Sequence, residues 1–316
     1  MRRKNREFVY KIQYLENEIA KKVLKNVKIS NKIFFITYFL LTMTYVLLMI
    51  HVISNRGLIF ITLLYLVLAL DLTFTQKRYT DKIMKETINK TICPEAYINL
   101  NLYNAKRIIC SERAYKYSLN NIAYGYILLG NFDKAEEIIK YLNSKKKDLI
   151  LQSEIIQNKI EIEFLKNNIK KCNEECENLN KIIKLIPGKN KKEARLNINI
   201  KKAIIEKDFK KLNEQCEILE KKNKLFYKVQ VAYYKGLIQE KREKQDYKQY
   251  YNFVAENGNN LIIANKVREK LGITETKNIF NRSNHIAYKL FKIVTLIIVL
   301  SSTIFWSMYT MYIFNK

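Results

Sequence analysis

The sequence predicts an all-α protein made of three transmembrane helices plus a cytoplasmic α-solenoid of helical hairpins. Three observations carry this. Seven Gly and two Pro in 316 residues leave little turn material for a many-stranded sheet. Three blocks are apolar over lengths that match a bilayer. Between the second and third blocks, apolar residues recur at the three-and-four spacing of buried helix faces. The charge balance, 57 Lys and Arg against 30 Asp and Glu, is +27, which on a compact soluble chain would point to nucleic acid or an anionic membrane.

Residues 1–32 predict a basic amphipathic helix on the cytoplasmic side. Phe8, Ile12, Leu15, Ile19, Val23 and Val27 form its apolar stripe, with Arg and Lys on the other faces. Such a stripe can lie on anionic lipid, pack on the repeat domain or continue into the first span, and its spacing does not say which.

Residues 33–74 predict a transmembrane hairpin with spans 33–53 and 58–74. At 1.5 Å per residue a hydrocarbon core of roughly 30 Å needs about 20 residues, so the second span is short. Only Ser54, Asn55, Arg56 and Gly57 separate the two. The first block is too long and too far from the N-terminus for a signal peptide, and no small-x-small site follows it. Asp71 lies within about a turn of the cytoplasmic end of its span, where it can snorkel or pair at the interface. Residues 291–316 hold the third span, 293–314, with Trp306, Tyr309 and Tyr312 near its exterior end.

Residues 1–32 carry ten Lys or Arg against three acids, and the hairpin turn has only Arg56. The positive-inside rule therefore predicts a multi-pass cell-membrane protein with its N-terminus and main domain cytoplasmic and its C-terminus exterior. The main domain, 75–290, holds 44 Lys or Arg and 26 acids. Its charge reads as a solvated Lys-rich helix surface or as a field that attracts anionic lipid heads.

Within that domain, Leu119, Ile122, Ala123 and Tyr126 line one helix face, Gly130-Asn131 breaks it, and Ala135, Ile138, Ile139 and Leu142 resume it. This stretch resembles one tetratricopeptide repeat (TPR). The resemblance places the large-small pair at Ile122 and Ala123, an aromatic at Tyr126 and the small crossing residue at Ala135, so that the two helices approach closely. Phe132, Ile169, Phe209 and Tyr247 then lead helices at steps of 37, 40 and 38, with Cys172, Leu212 and Tyr250 in the position of Ala135. Pro187-Gly188 with Lys189, Asn190, Lys191 and Lys192 reads as an exposed basic linker. The candidate repeat-packing residues are Leu119, Ile122, Ala123, Tyr126, Ala135, Phe209 and Tyr247.

No catalytic, cofactor-binding or metal-binding residue is expected. His51 and His285 fall on opposite sides of the membrane, and the five cysteines include no C-x-x-C pair. Cys172 and Cys176 sit four apart on one helix face with no complementing ligand pair, which reads as apolar packing. No P-loop, dinucleotide fingerprint or hydrolase motif occurs. The expected function is a non-enzymatic scaffold that binds an unidentified protein or peptide at the cytoplasmic face, with Tyr126, Phe164, Tyr233, Tyr234, Tyr250 and Tyr251 as groove or core aromatics. Membrane lipids, anionic ones included, are further partners; nucleic acid is not. The alternative is an accessory subunit of a membrane transport or secretion complex, with Thr303, Ser307 and Thr310 on the last span as its interhelical contact.

Overall fold

The computed structural model describes residues 7–51, 55–107, 111–145, 148–242 and 246–273. The described residues form helices and connecting turns, with no strand. In order these are α1 (Glu7–Lys11), α2 (Glu18–His51), α3 (Asn55–Asn89), α4 (Pro94–Arg107), α5 (Glu112–Leu128), α6 (Phe132–Asn143), α7 (Leu149–Leu165), α8 (Ile169–Ile183), α9 (Gly188–Ile205), α10 (Phe209–Glu220), α11 (Leu225–Lys241), α12 (Tyr247–Asn257) and α13 (Ile262–Leu271). They fall into two compact units: Lys22–Ile83, and the residues up to Lys21 together with those from Met84 onward.

The first of these units is a helical hairpin. α2 and α3 are long and apolar enough to cross a membrane, with mean hydropathies of 2.2 and 1.8 in their apolar windows. Only 6% and 11% of those windows are buried by protein. A core helix of a soluble domain hides its apolar side chains, whereas Phe35, Phe39, Phe60 and Val67 stand exposed here. The two helices face each other through polar contacts. Thr42 Oγ1 and the Tyr65 hydroxyl lie 3.2 Å apart, Tyr45 and Thr62 share a hydrogen bond at 3.3 Å, the Tyr45 and Tyr65 rings stack at 4.4 Å, and Gln76 donates to Asn31. Asp71 is exposed on α3. The predicted third span, 293–314, lies outside the described residues, as do Cys110 and His285.

The other unit is built of successive hairpins: α5 packs on α6, α7 on α8, α9 on α10 and α11 on α12. A repeated turn joins three of these pairs. Gly130, Asn167 and Lys207 take φ of 79°, 61° and 58°, and the next residue, Asn131, Asn168 or Asp208, caps the following helix with its side chain. The cap residues donate their backbone N–H groups to carbonyls five back: Asn131 to Tyr126, Asn168 to Glu163 and Asp208 to Ala203, at 2.8–2.9 Å. This is a Schellman closure followed at once by an N-cap, so orphan groups of both helices are satisfied within three residues. The leading apolar residues noted in the sequence, Phe132, Ile169 and Phe209, are the first residues of these capped helices.

Two sequence expectations differ from the structure here. Lys189, Asn190, Lys191 and Lys192 are the first turn of α9 rather than a linker, because Pro187 holds the extended conformation of an N-cap. In the last hairpin the buried ring is Tyr251, 1% exposed, and Tyr250 is only half-buried. The small residue of that crossing is on the opposite helix: a Cβ at Gly236 would overlap the Tyr251 ring.

Residues 7–21 form a short helix, a non-helical strap and the start of α2 rather than one continuous amphipathic helix. Val9 is fully buried in the cluster around α4–α7, and Phe8 stacks on Tyr141 at 4.4 Å. After α1 the backbone at Leu15 is held by buried Asn99, whose side chain accepts from Leu15 N–H at 2.8 Å and donates to Leu15 C=O at 2.9 Å. Asn17 then caps α2 through Ala20 N–H. Phe8, Ile12 and Leu15 of the stripe thus pack on the hairpins, whereas Val23 and Val27 belong to α2.

The hairpins close on themselves. α13 packs on α12 and returns to α5, Ile262 lies against Gly130, and Lys266 Nζ donates to Leu165 C=O at 2.8 Å. Asn259 donates to Thr91 C=O and Asn260 to Glu95 at 2.7 and 2.6 Å, so the turn after α12 meets the residues flanking the start of α4. Arg268, 5% exposed, holds this end by donating to the carbonyls of Ala255 and Asn259.

The Gly236–Tyr251 contact yields a test with an unusual sign. Gly→Ala inside a helix ordinarily stabilises by about 1 kcal/mol, but Gly236→Ala should destabilise the full chain by about 1–3 kcal/mol because the ring has no room to move. Gly188→Ala, which meets open space, serves as the control. Chemical unfolding in detergent checks this, and a stabilised Gly236→Ala would show that the crossing is not close-packed.

Candidate functional site

Leu119, Ile122, Ala123, Tyr126 and Ala135 are at most 2% exposed in the cluster around α4–α7. Phe209 lies half-buried on the cluster containing Leu212 and Cys216, and Tyr247 meets Tyr251 edge-on at 5.6 Å. Cys172 and Cys176 are fully buried in an apolar cluster, and no group of metal-ligating side chains occurs among the described residues. None of these residues lines the concave face. That face holds a half-open cavity of about 350 Å³, walled by α4 and by the first helix of every hairpin, α5, α7, α9 and α11, with Leu219 of α10 and Lys222 also lining it. This half-open chamber stands where the sequence predicts a groove.

Amides dominate the wall. Asn120, Asn158 and Asn197 recur at steps of 38 and 39, one on each of α5, α7 and α9, with Asn121, Gln157 and Gln230 beside them. The buried pair is ordered by direct contact: Asn158 Nδ2 donates to Asn120 Oδ1 at 2.9 Å, and Asn120 Nδ2 donates to Glu154 at 3.2 Å. Asn121 is oriented by Asn101, 1% exposed, at 3.1 Å. Asn158 Nδ2 also donates to the Asn120 backbone C=O at 3.3 Å, the way an asparagine amide, carrying donor and acceptor together, matches a peptide bond. The chain shows the full match at Asn99 and Leu15.

The charges of the wall differ in how they are compensated. Lys201, 1% exposed, sits behind it; burial alone would lower its ammonium, but Glu161 at 2.8 Å and the Tyr234 hydroxyl at 3.2 Å hold it above the usual lysine range. It also lies 4.2 Å from the centre of the Phe164 ring. Glu193, on the rim, faces Lys222 at 3.9 Å. Glu154 has no basic partner among the described residues. Burial lifts its carboxyl to about 7, helped by the negative charges of Asp148 and Glu193 and opposed by the Asn120 hydrogen bond. The groups facing it from α4 and α5 are the phenols of Tyr97 and Tyr117.

Four phenols complete the wall: Tyr97, Tyr124, Tyr227 and Tyr234. Burial raises Tyr124 well above the ordinary phenol value, with Glu161, Tyr227, Tyr97 and Tyr234 adding to it. The six aromatics expected in the groove or the core divide: Tyr234 lines the cavity, Tyr126, Tyr233 and Tyr251 pack in the core, Phe164 lies against Lys201, and Tyr250 edges a separate open depression between α11 and α12. The asparagines were the missed signal, since their 38- and 39-residue recurrence follows the period of the leading apolar residues.

The chain matches no family model, no curated protein and no solved structure.

The raised carboxyl of Glu154 makes stability depend on pH with a defined sign. Its folded value of about 7 exceeds the unfolded value of 4.5, so its contribution is present below pH 4.5 and is lost as pH rises through 7. Across that window the wild-type chain should lose roughly 3 kcal/mol more than Glu154→Gln, whose amide still accepts from Asn120. Parallel unfolding curves for the two proteins from pH 4.5 to 7.5 would show that Glu154 ionises freely.

Proposed function

We propose that this chain is a non-enzymatic scaffold, anchored in the membrane by its apolar helices, that holds a peptide or protein segment in the chamber of a TPR-like repeat domain on the cytoplasmic side. The observation that carries it is the wall itself. A surface built from the first helix of each successive hairpin, and lined by recurring amides, suits recognition of extended backbone. Amides, phenols and carboxylates are binding groups, and the buried Lys201 behind them is neutralised by Glu161. The α5–α6 hairpin, crossing at Ala135, supports the TPR-like assignment.

The anchoring follows from two exposed apolar helices, with the segment 293–314 as a third span. Ten basic residues before the first span and one in the following turn support a cytoplasmic domain. Tethering raises the effective concentration of a client at the membrane, and the chamber supplies the selectivity.

Site-specific photocrosslinking in native membranes tests this reading. A crosslinker at Asn197, on the chamber wall, should give a discrete adduct, and one at the exposed Lys248 of α12 should not. Adducts from Lys248 alone, or from neither position, would overturn it.

A further inference from the structure

The chamber contains a mismatch that its own residues do not resolve. In a chain with 57 Lys and Arg, Glu154 faces the cavity with no basic partner among the described residues, while Glu161 is neutralised by Lys201 and Glu193 lies 3.9 Å from Lys222. Tyr97, Tyr124 and Tyr227 line the same space, and Tyr97 is the lining phenol that feels the Glu154 charge. A carboxylate beside an electron-rich ring attracts a cation twice, by charge and by the ring quadrupole.

We propose that the chamber reads a basic residue, a Lys or Arg of an extended peptide, by seating its cationic head between Glu154 and Tyr97 while the wall amides bind the flanking peptide bonds. This rests on the partner-binding reading above and adds the chemistry of the ligand. Entry of the cation replaces the proton on Glu154, which is released to solvent. The size of the chamber limits the occupant to a few residues, toward the lower end of ordinary ligand sites of roughly 300–1,000 Å³.

The test uses the full chain in phosphatidylcholine nanodiscs and two pools of capped pentapeptides, random except for a central residue fixed as Lys in one pool and norleucine in the other. The wild-type protein should retain the Lys pool at least tenfold more than the norleucine pool. Glu154→Gln should erase that preference, whereas Glu217→Gln on the exposed face of α10 should keep it. For a retained Lys peptide, calorimetry at pH 7 in two buffers of different ionisation enthalpy should show proton release that is absent in Glu154→Gln, which a merely structural role would not produce. Spermidine should compete poorly, because it offers ammonium groups without peptide bonds. Full competition by spermidine, equal retention of both pools, or retention of neither would each overturn the proposal. Equal retention would still leave the partner-binding reading standing, and if neither pool is retained that reading is decided separately by the crosslink at Asn197.

Discussion

A single buried ammonium organises the hairpin unit. Lys201 of α9 reaches Glu161 of α7 and Tyr234 of α11, so one charge ties together three consecutive hairpins at 1% exposure. An unpaired ammonium there would be prohibitive, and its partners must therefore stay within hydrogen-bond reach. That requirement draws α7, α9 and α11 toward one point and turns their inner faces onto a common space. It also consumes Glu161, which is why Glu154, about two turns earlier on α7, is left as the carboxylate without a basic partner.

Around that point, the unit repeats one local solution and closes it with unrelated contacts. The Schellman turn and cap at Gly130-Asn131, Asn167-Asn168 and Lys207-Asp208 set each second helix at a similar start. Closure relies on Asn259 and Asn260, whose side chains reach the Thr91 carbonyl and the Glu95 carboxylate 168 and 165 residues away in sequence, while Arg268 braces the same end by binding the nearby carbonyls of Ala255 and Asn259. The Thr91 carbonyl, which would face water at the end of an open array, is thereby paired.

The α5–α6 hairpin was legible in the sequence because every local feature agrees: a helical stripe, a break at Gly130-Asn131 and small residues at Ala123 and Ala135. The apolar character of α2 and α3 was equally plain. The strap was not, since Phe8, Ile12 and Leu15 have helical spacing and the competing element is a distant Asn99. The sequence named Tyr251 as a groove or core aromatic but did not place it at the crossing, because the small residue there is Gly236 on the partner helix, which a fixed repeat register does not anticipate. Lys201 was hidden among many lysines; burial of a charge is decided by what packs around it, and periodicity carries no such information. The asparagine recurrence was present in the sequence but was masked by the abundance of Asn in this chain.

The central claim is that Lys201 and Glu161 act as one unit, and a double-mutant cycle on the full chain in detergent measures it most directly. Glu161→Gln alone, which strands the ammonium, should cost about 3–5 kcal/mol. Adding Lys201→Met should recover most of that loss, giving a coupling energy of at least about 2 kcal/mol. Additive effects within about 0.5 kcal/mol, the behaviour of independent sites, would contradict the account.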